Sequence, residues 1–156
     1  MKRVSVLGVV VALCALLLIT TVASSATSTR KYTGDIEKGG TVDFTIRKNK
    51  RPGRPARSKL IKFVFEGLVV DCQGHPNPET TSGRIITTAP VRNGHFQFRG
   101  SNENETASLR FSGDLTGPRK AVGKIRVHGS AVLLDDKTTA NCESHNQDWE
   151  AHRIPG

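Results

Sequence analysis

Between residues 42 and 151 apolar side chains recur largely at every second position, in short runs bounded by Gly, Asn, Asp and Pro, and this period of two predicts β-strands. Val42, Phe44 and Ile46 alternate with Asp43 and Thr45. Ile61, Phe63 and Phe65 form a second apolar row, and Leu68, Val70 and Cys72 a third whose parity shifts across Gly67. A one-residue shift at a glycine predicts a β-bulge that keeps both rows on one core. Phe96 and Phe98 alternate with His95, Gln97 and Arg99, and Ala107, Leu109 and Phe111 with Ser108, Arg110 and Ser112. Ala121, Gly123, Ile125 and Val127 point inward against Lys124, Arg126 and His128, followed by Ala131 and Leu133. Trp149 and Ala151 oppose Glu150 and His152 in a closing strand.

The breaks between these rows carry turn chemistry. Asn93-Gly94 is a hairpin signal whose two central residues need positive φ. Gly113 to Lys120, with Gly117-Pro118, and Leu134 to Lys137 supply further turns. No segment after the N-terminus carries a helical period. The expectation is one all-β domain of about eight short antiparallel strands, either a β-sandwich or an up-and-down barrel.

The first 26 residues have another pattern. Lys2 and Arg3 precede an apolar stretch from Val6 to Ile19, and Thr21 to Ala26 form a small-residue exit with Ala23 or Ala26 at the cleavage position. The apolar run is shorter than the ~20 residues a membrane-spanning helix wants. Residues 1–26 therefore read as a secretory signal peptide and residues 27–156 as the exported domain, secreted or held in the cell envelope without a membrane span. The formal charge of +9 loses only the two basic residues of the signal, so the domain stays basic and favours anionic surroundings.

Export also sets the cysteine chemistry. Cys14 leaves with the signal, and the remaining Cys72 and Cys142 predict one disulfide in an oxidising compartment. Closing a loop of about 70 residues removes ~4 kcal/mol of denatured-chain entropy in the simple model. A redox or metal role would need a close spacing such as C-x-x-C, which is absent. Trp149, the sole Trp, is expected against this bridge or its flanking strands.

One connection stands out by composition. Arg47 to Lys59, RKNKRPGRPARSK, holds seven basic residues among thirteen (Arg47, Lys48, Lys50, Arg51, Arg54, Arg57 and Lys59) and no acid. Pro52, Gly53 and Pro55 argue against a helix or central strand across it, so it is expected to be a solvated hairpin tip. Such a cluster serves either as a solubilising loop or as an anion-binding finger for phosphates or sulfates. No aromatic residue is interleaved to stack on bases, so specific nucleic-acid reading is not expected.

Gln73 to Ser82 reads as a second irregular loop, pinned by Cys72. His75 and Glu79 lie in it, and His145 and Asp148 follow the other cysteine, so the bridge would bring these four residues to one end. Neither a metal-ligand spacing nor a nucleophile motif accompanies them, and no cofactor or metal is expected. His95, His128 and His152 fall on outward strand faces. Asn104-Glu105-Thr106 matches a glycosylation acceptor.

Tyr32-Thr33-Gly34-x-Ile36, Gly39-Gly40-x-Val42-x-Phe44, Phe63-x-Phe65-x-Gly67-Leu68-x-Val70-x-Cys72, Ser82-Gly83 and Gly94-x-Phe96 form a run of motifs. With Phe111-x-Gly113, Ala121-x-Gly123, Cys142 and Trp149-x-Ala151-x-Arg153, it resembles a kind of small exported all-β protein common in actinobacteria. The resemblance spans nearly the whole exported domain and implies a bacterial extracellular protein; it carries no activity and no site residues. Three function classes follow. The first is a non-enzymatic domain adhering to an anionic envelope polymer or protein partner. The second is a small-molecule or lipid carrier, which needs a barrel cavity; six Phe, one Trp and one Tyr instead predict a small, dry core. The third is a hydrolytic enzyme with a site near the Cys72 and Cys142 loops.

Overall fold

A computed structural model describes residues 25–101, 106–132 and 139–155. Nine strands form one antiparallel sheet: β1 (Ala26–Ile36), β2 (Thr41–Lys50), β3 (Arg57–Cys72), β4 (Glu79–Arg92), β5 (His95–Ser101), β6 (Ala107–Leu115), β7 (Lys120–Val132), β8 (Thr139–Glu143) and β9 (Gln147–Arg153). The expected signal peptide through residue 24, the acceptor residues Asn104 and Glu105, and the Leu134 to Lys137 turn lie outside the described residues.

The pairings run β2-β1-β9-β7-β6-β5-β4-β3 and return from β3 to β2, so these strands close a barrel. β8 bridges the ends of β3 and β7, with Cys72 opposite Cys142 and Gly129 opposite Cys142. Closure by consecutive hairpins is the up-and-down arrangement, completed by β9 inserted between β7 and β1.

Two bulges set the register of β3. One skips from Phe65 to Leu68, with Gly67 at φ 67°, as the parity shift implies. The other skips Ile61: Thr45 pairs Lys62 and Ile46 pairs Leu60. Leu60, at 0 % exposure, therefore takes the core position expected for Ile61, which is only partly buried. Local alternation does not reveal a bulge without a glycine to mark it.

Aromatic rings fill part of the barrel. Tyr32 stacks on Phe44 at 4.8 Å, Phe63 on Phe111 at 4.3 Å and Phe111 on Trp149 at 5.1 Å. Trp149 thus lies in the main core, on β9 beside β7, and not against the disulfide, whose own small cluster holds Val70 and Ala140. The indole goes where Gly113 and Gly123 leave room for it. Two buried polar residues pin the β8–β9 connection. Gln147 Nε2 donates to Val69 O at 2.7 Å and to Ser144 O at 3.0 Å, while Ser144 Oγ accepts from Val127 N at 2.8 Å.

The circuit has one weak seam. β4 and β5 share only the pairs Arg92–His95 and Val91–Phe96, flanking the Asn93-Gly94 turn, where both residues have positive φ. Arg92 and His95 close a two-residue hairpin as its hydrogen-bonded pair, so the next hydrogen-bonded position sets Pro90 opposite Gln97. Proline has no N–H to give, and the ladder stops there. The sheet consequently parts between β4 and β5.

Candidate functional site

The basic segment is mostly strand. β2 continues through Arg47, Lys48 and Lys50, and β3 begins at Arg57, so the connection is residues 51–56 and not the whole of 47–59. The ladder tolerates the segment because both prolines sit in the turn. Arg54 N donates to Arg51 O at 3.2 Å, with Gly53 at φ 68°. Proline at the second position and a left-handed glycine at the third are what a type II turn requires.

This geometry gathers the cations. Arg47 lies directly opposite Lys59, and Asn49 opposite Arg57. Asn49, Arg51, Arg54, Pro55, Arg57 and Lys59 line a concavity of about 160 Å³ at the tip. Among the described residues none of the seven basic side chains joins an ion pair with a carboxylate. Like charges held opposite one another on a strand pair cost stability. The tip therefore carries uncompensated positive charge that a bound anion would relieve.

Around the disulfide the four expected residues separate into different contacts. Cys72 and Cys142 are bonded, with Cα atoms 4.0 Å apart. His75 Nδ1 stands 3.5 Å from Glu79 Oε1. His145 faces Asp71 at 3.8 Å and Glu143 at 3.7 Å instead of Asp148, which pairs with Lys124 at 2.7 Å. The loop before β4 is also shorter than Gln73 to Ser82, because Glu79 already begins the strand. Among the described residues no group of three or more His, Cys, Asp or Glu is arranged to hold a metal ion. His95, His128 and His152 are exposed, His95 beside Asp114 at 2.9 Å and His152 beside Glu150 at 3.2 Å.

Two of the larger concavities lie elsewhere on the described surface. One, of about 760 Å³, lies where Asp35, Glu37, Asp148 and Glu150 surround Trp149 and Gly113. Lys124 lines it too, and Glu150 is matched from outside the lining by Lys120 at 2.7 Å, a hydrogen bond that holds the Glu150 carboxyl below its ordinary pKa. The other, of about 570 Å³, opens at the β4–β5 seam and is floored by Phe65, Ile85, Phe98, Leu109 and Val127. Sequence alternation gives no warning of it. Its wall is β4, whose Arg84-Ile85-Ile86-Thr87-Thr88-Ala89 run does not alternate and whose Pro90 argues against an internal strand.

No helix among the described residues is long and apolar enough to cross a membrane. No protein-family model, curated protein or solved structure matches the chain. What the structure defines is a class by architecture alone: a single antiparallel β-sheet of nine strands with one disulfide.

Proposed function

We propose that this chain is an exported, non-enzymatic β domain that adheres through its β2–β3 tip to an anionic polymer of the cell envelope or to an acidic protein partner. The observation that carries this reading is the placing of Arg47 opposite Lys59 above a turn that adds Arg51, Arg54 and Arg57, with no carboxylate paired to any of them among the described residues. Arginine suits such a site because its planar fork grips phosphate or sulfate oxygens in pairs. The signal-like N-terminus supports export, and a Cys72–Cys142 disulfide is compatible with an extracellular setting.

The test is retention of the purified protein on immobilised dextran sulfate and on isolated cell envelope across a salt gradient. Replacing Arg51, Arg54 and Arg57 by Ser should lower the eluting salt concentration and flatten the salt dependence, since fewer counterions are released per binding event. Thermal stability should hardly change, because exposed loop substitutions usually cost within ~0.5 kcal/mol. Equal retention of variant and parent at low salt would reduce the tip to a solvated loop.

A further inference from the structure

We propose that the β4–β5 seam is a binding cleft for a single-chain anionic amphiphile, a fatty carboxylate whose hydrocarbon chain lies on the apolar floor and whose head meets Arg84. The cleft joins three independent features. Its volume of about 570 Å³ falls within the ~300–1,000 Å³ typical of small-molecule pockets. Its floor is apolar, and Ile86 stands at the lip with 74 % of its surface exposed, where a chain leaving the cleft would cover it. Among the described lining residues Arg84 is the one charged side chain and none is acidic, and Thr81, Ser82, Ser101 and Ser108 supply the remaining polar groups.

Charge selects the occupant. A cationic amphiphile would meet Arg84 with repulsion, whereas a carboxylate head gains a charge-assisted hydrogen bond. With the head at Arg84, β4 offers ~10 Å back to Thr81 at the usual rise per residue, and the hydrocarbon chain crosses from β4 over Phe98, Leu109 and Val127. Pro90 keeps the cleft open by ending the β4–β5 ladder, and it also blunts the free β4 edge as a template for an incoming peptide strand. A chain that needs no backbone partners therefore fits this seam better than an added strand does.

Binding of dodecanoate, dodecan-1-ol and dodecyltrimethylammonium below their micelle concentrations, followed by calorimetry and by amide chemical shifts, tests the proposal. The expected result is saturable one-to-one binding of dodecanoate, at least about tenfold tighter than dodecanol, with the cationic chain weakest. Arg84→Gln should erase the preference for dodecanoate over dodecanol while leaving dodecanol binding in place. Photo-crosslinking of a diazirine-bearing dodecanoate to the unmodified protein gives a readout independent of any variant's folding, with labels expected in Ile85–Ile86 and in the Phe98 and Leu109 peptides. The Arg51, Arg54 and Arg57 to Ser protein should bind dodecanoate like the parent, which separates this cleft from the polyanion reading. Absence of saturable binding, labels confined to other surfaces, or displacement of dodecanoate by a blocked decapeptide of alternating Val and Thr that binds more tightly would each overturn the proposal, the last in favour of strand addition.

Discussion

The indole of Trp149 occupies the space a side chain at Gly113 would need: a Cβ built there would lie 2.5 Å from Trp149 Cζ2 and 2.7 Å from the Phe96 ring. Both neighbours are ring atoms inside a stacked cluster, so neither can swing into solvent. Gly113→Ala should therefore destabilise the protein by ~1–3 kcal/mol, the usual cost of overpacking a filled core. Trp149→Phe in the same chain should recover part of that loss, and a double-mutant cycle by urea denaturation should give a coupling above ~0.5 kcal/mol. Additive effects would mean that the indole is not what excludes the methyl group.

The disulfide ties the last residue of β3 to β8 across a sequence separation of 70, and among the described residues it forms a small buried cluster with Val70 and Ala140, apart from the main aromatic core. Its contribution is accordingly through the unfolded chain. Replacing Cys72 and Cys142 together by Ala should lower stability by ~2–5 kcal/mol. The check is the urea midpoint of the variant against the parent, with thiol labelling of the unreduced parent finding no free cysteine. An unchanged midpoint would show that the bridge contributes nothing to folding.

Period-two patterning made the inward faces of β2, β6, β7 and β9 legible because each buries one face against the same aromatic cluster; Val42, Phe44, Phe111, Ile125 and Trp149 are all buried. The Gly67 bulge and the Asn93-Gly94 turn were legible for a different reason, since their backbone conformations demand particular residues. β4 was not, because a strand beside a parted seam has no fully buried position to advertise: its residues alternate between partly buried and exposed along its whole length. The extent of the basic tip was misread by the same logic. Lys and Arg carry no strand signal, yet the ladder from the core continues through Arg47 to Asn49 opposite Lys59 to Arg57. The candidate cleft was hidden along with β4, and a closed, dry core was the natural expectation from so few aromatic residues.

Lys120 and Glu150 give the surface a pH signature. The Lys120 hydrogen bond lowers the Glu150 pKa; desolvation opposes it as the next largest effect, and the charges of Lys120 and His152 add to the lowering. A carboxyl with a lower pKa folded than unfolded contributes stability above its unfolded range, ~4.3, and loses it as pH falls through the folded value. The contribution is small for so exposed a pair. An NMR titration should place the Glu150 carboxyl below the other surface glutamates, and Lys120→Met should return it toward them. If Glu150 titrates with its neighbours in the parent, the pair does not persist in solution.

On the proposed polyanion reading, Arg47 and Lys59 set stability against binding, because this like-charged cross-strand pair costs the fold something that a bound anion would offset. Lys59→Glu converts the pair to one of opposite charge. Its midpoint of thermal unfolding should rise, by an amount matching ~0.5 kcal/mol, while retention on dextran sulfate falls. Arg47→Glu should act alike from the other strand. The double variant Arg47→Glu with Lys59→Glu restores like charges with the sign reversed, so it should lose the stability gain and bind the polyanion least of all. A rise in stability without loss of retention would place the anion elsewhere on the tip. A fall in both would show that Lys59 acts in packing β3 against Pro90 of β4, its other register partner, and not in meeting a ligand.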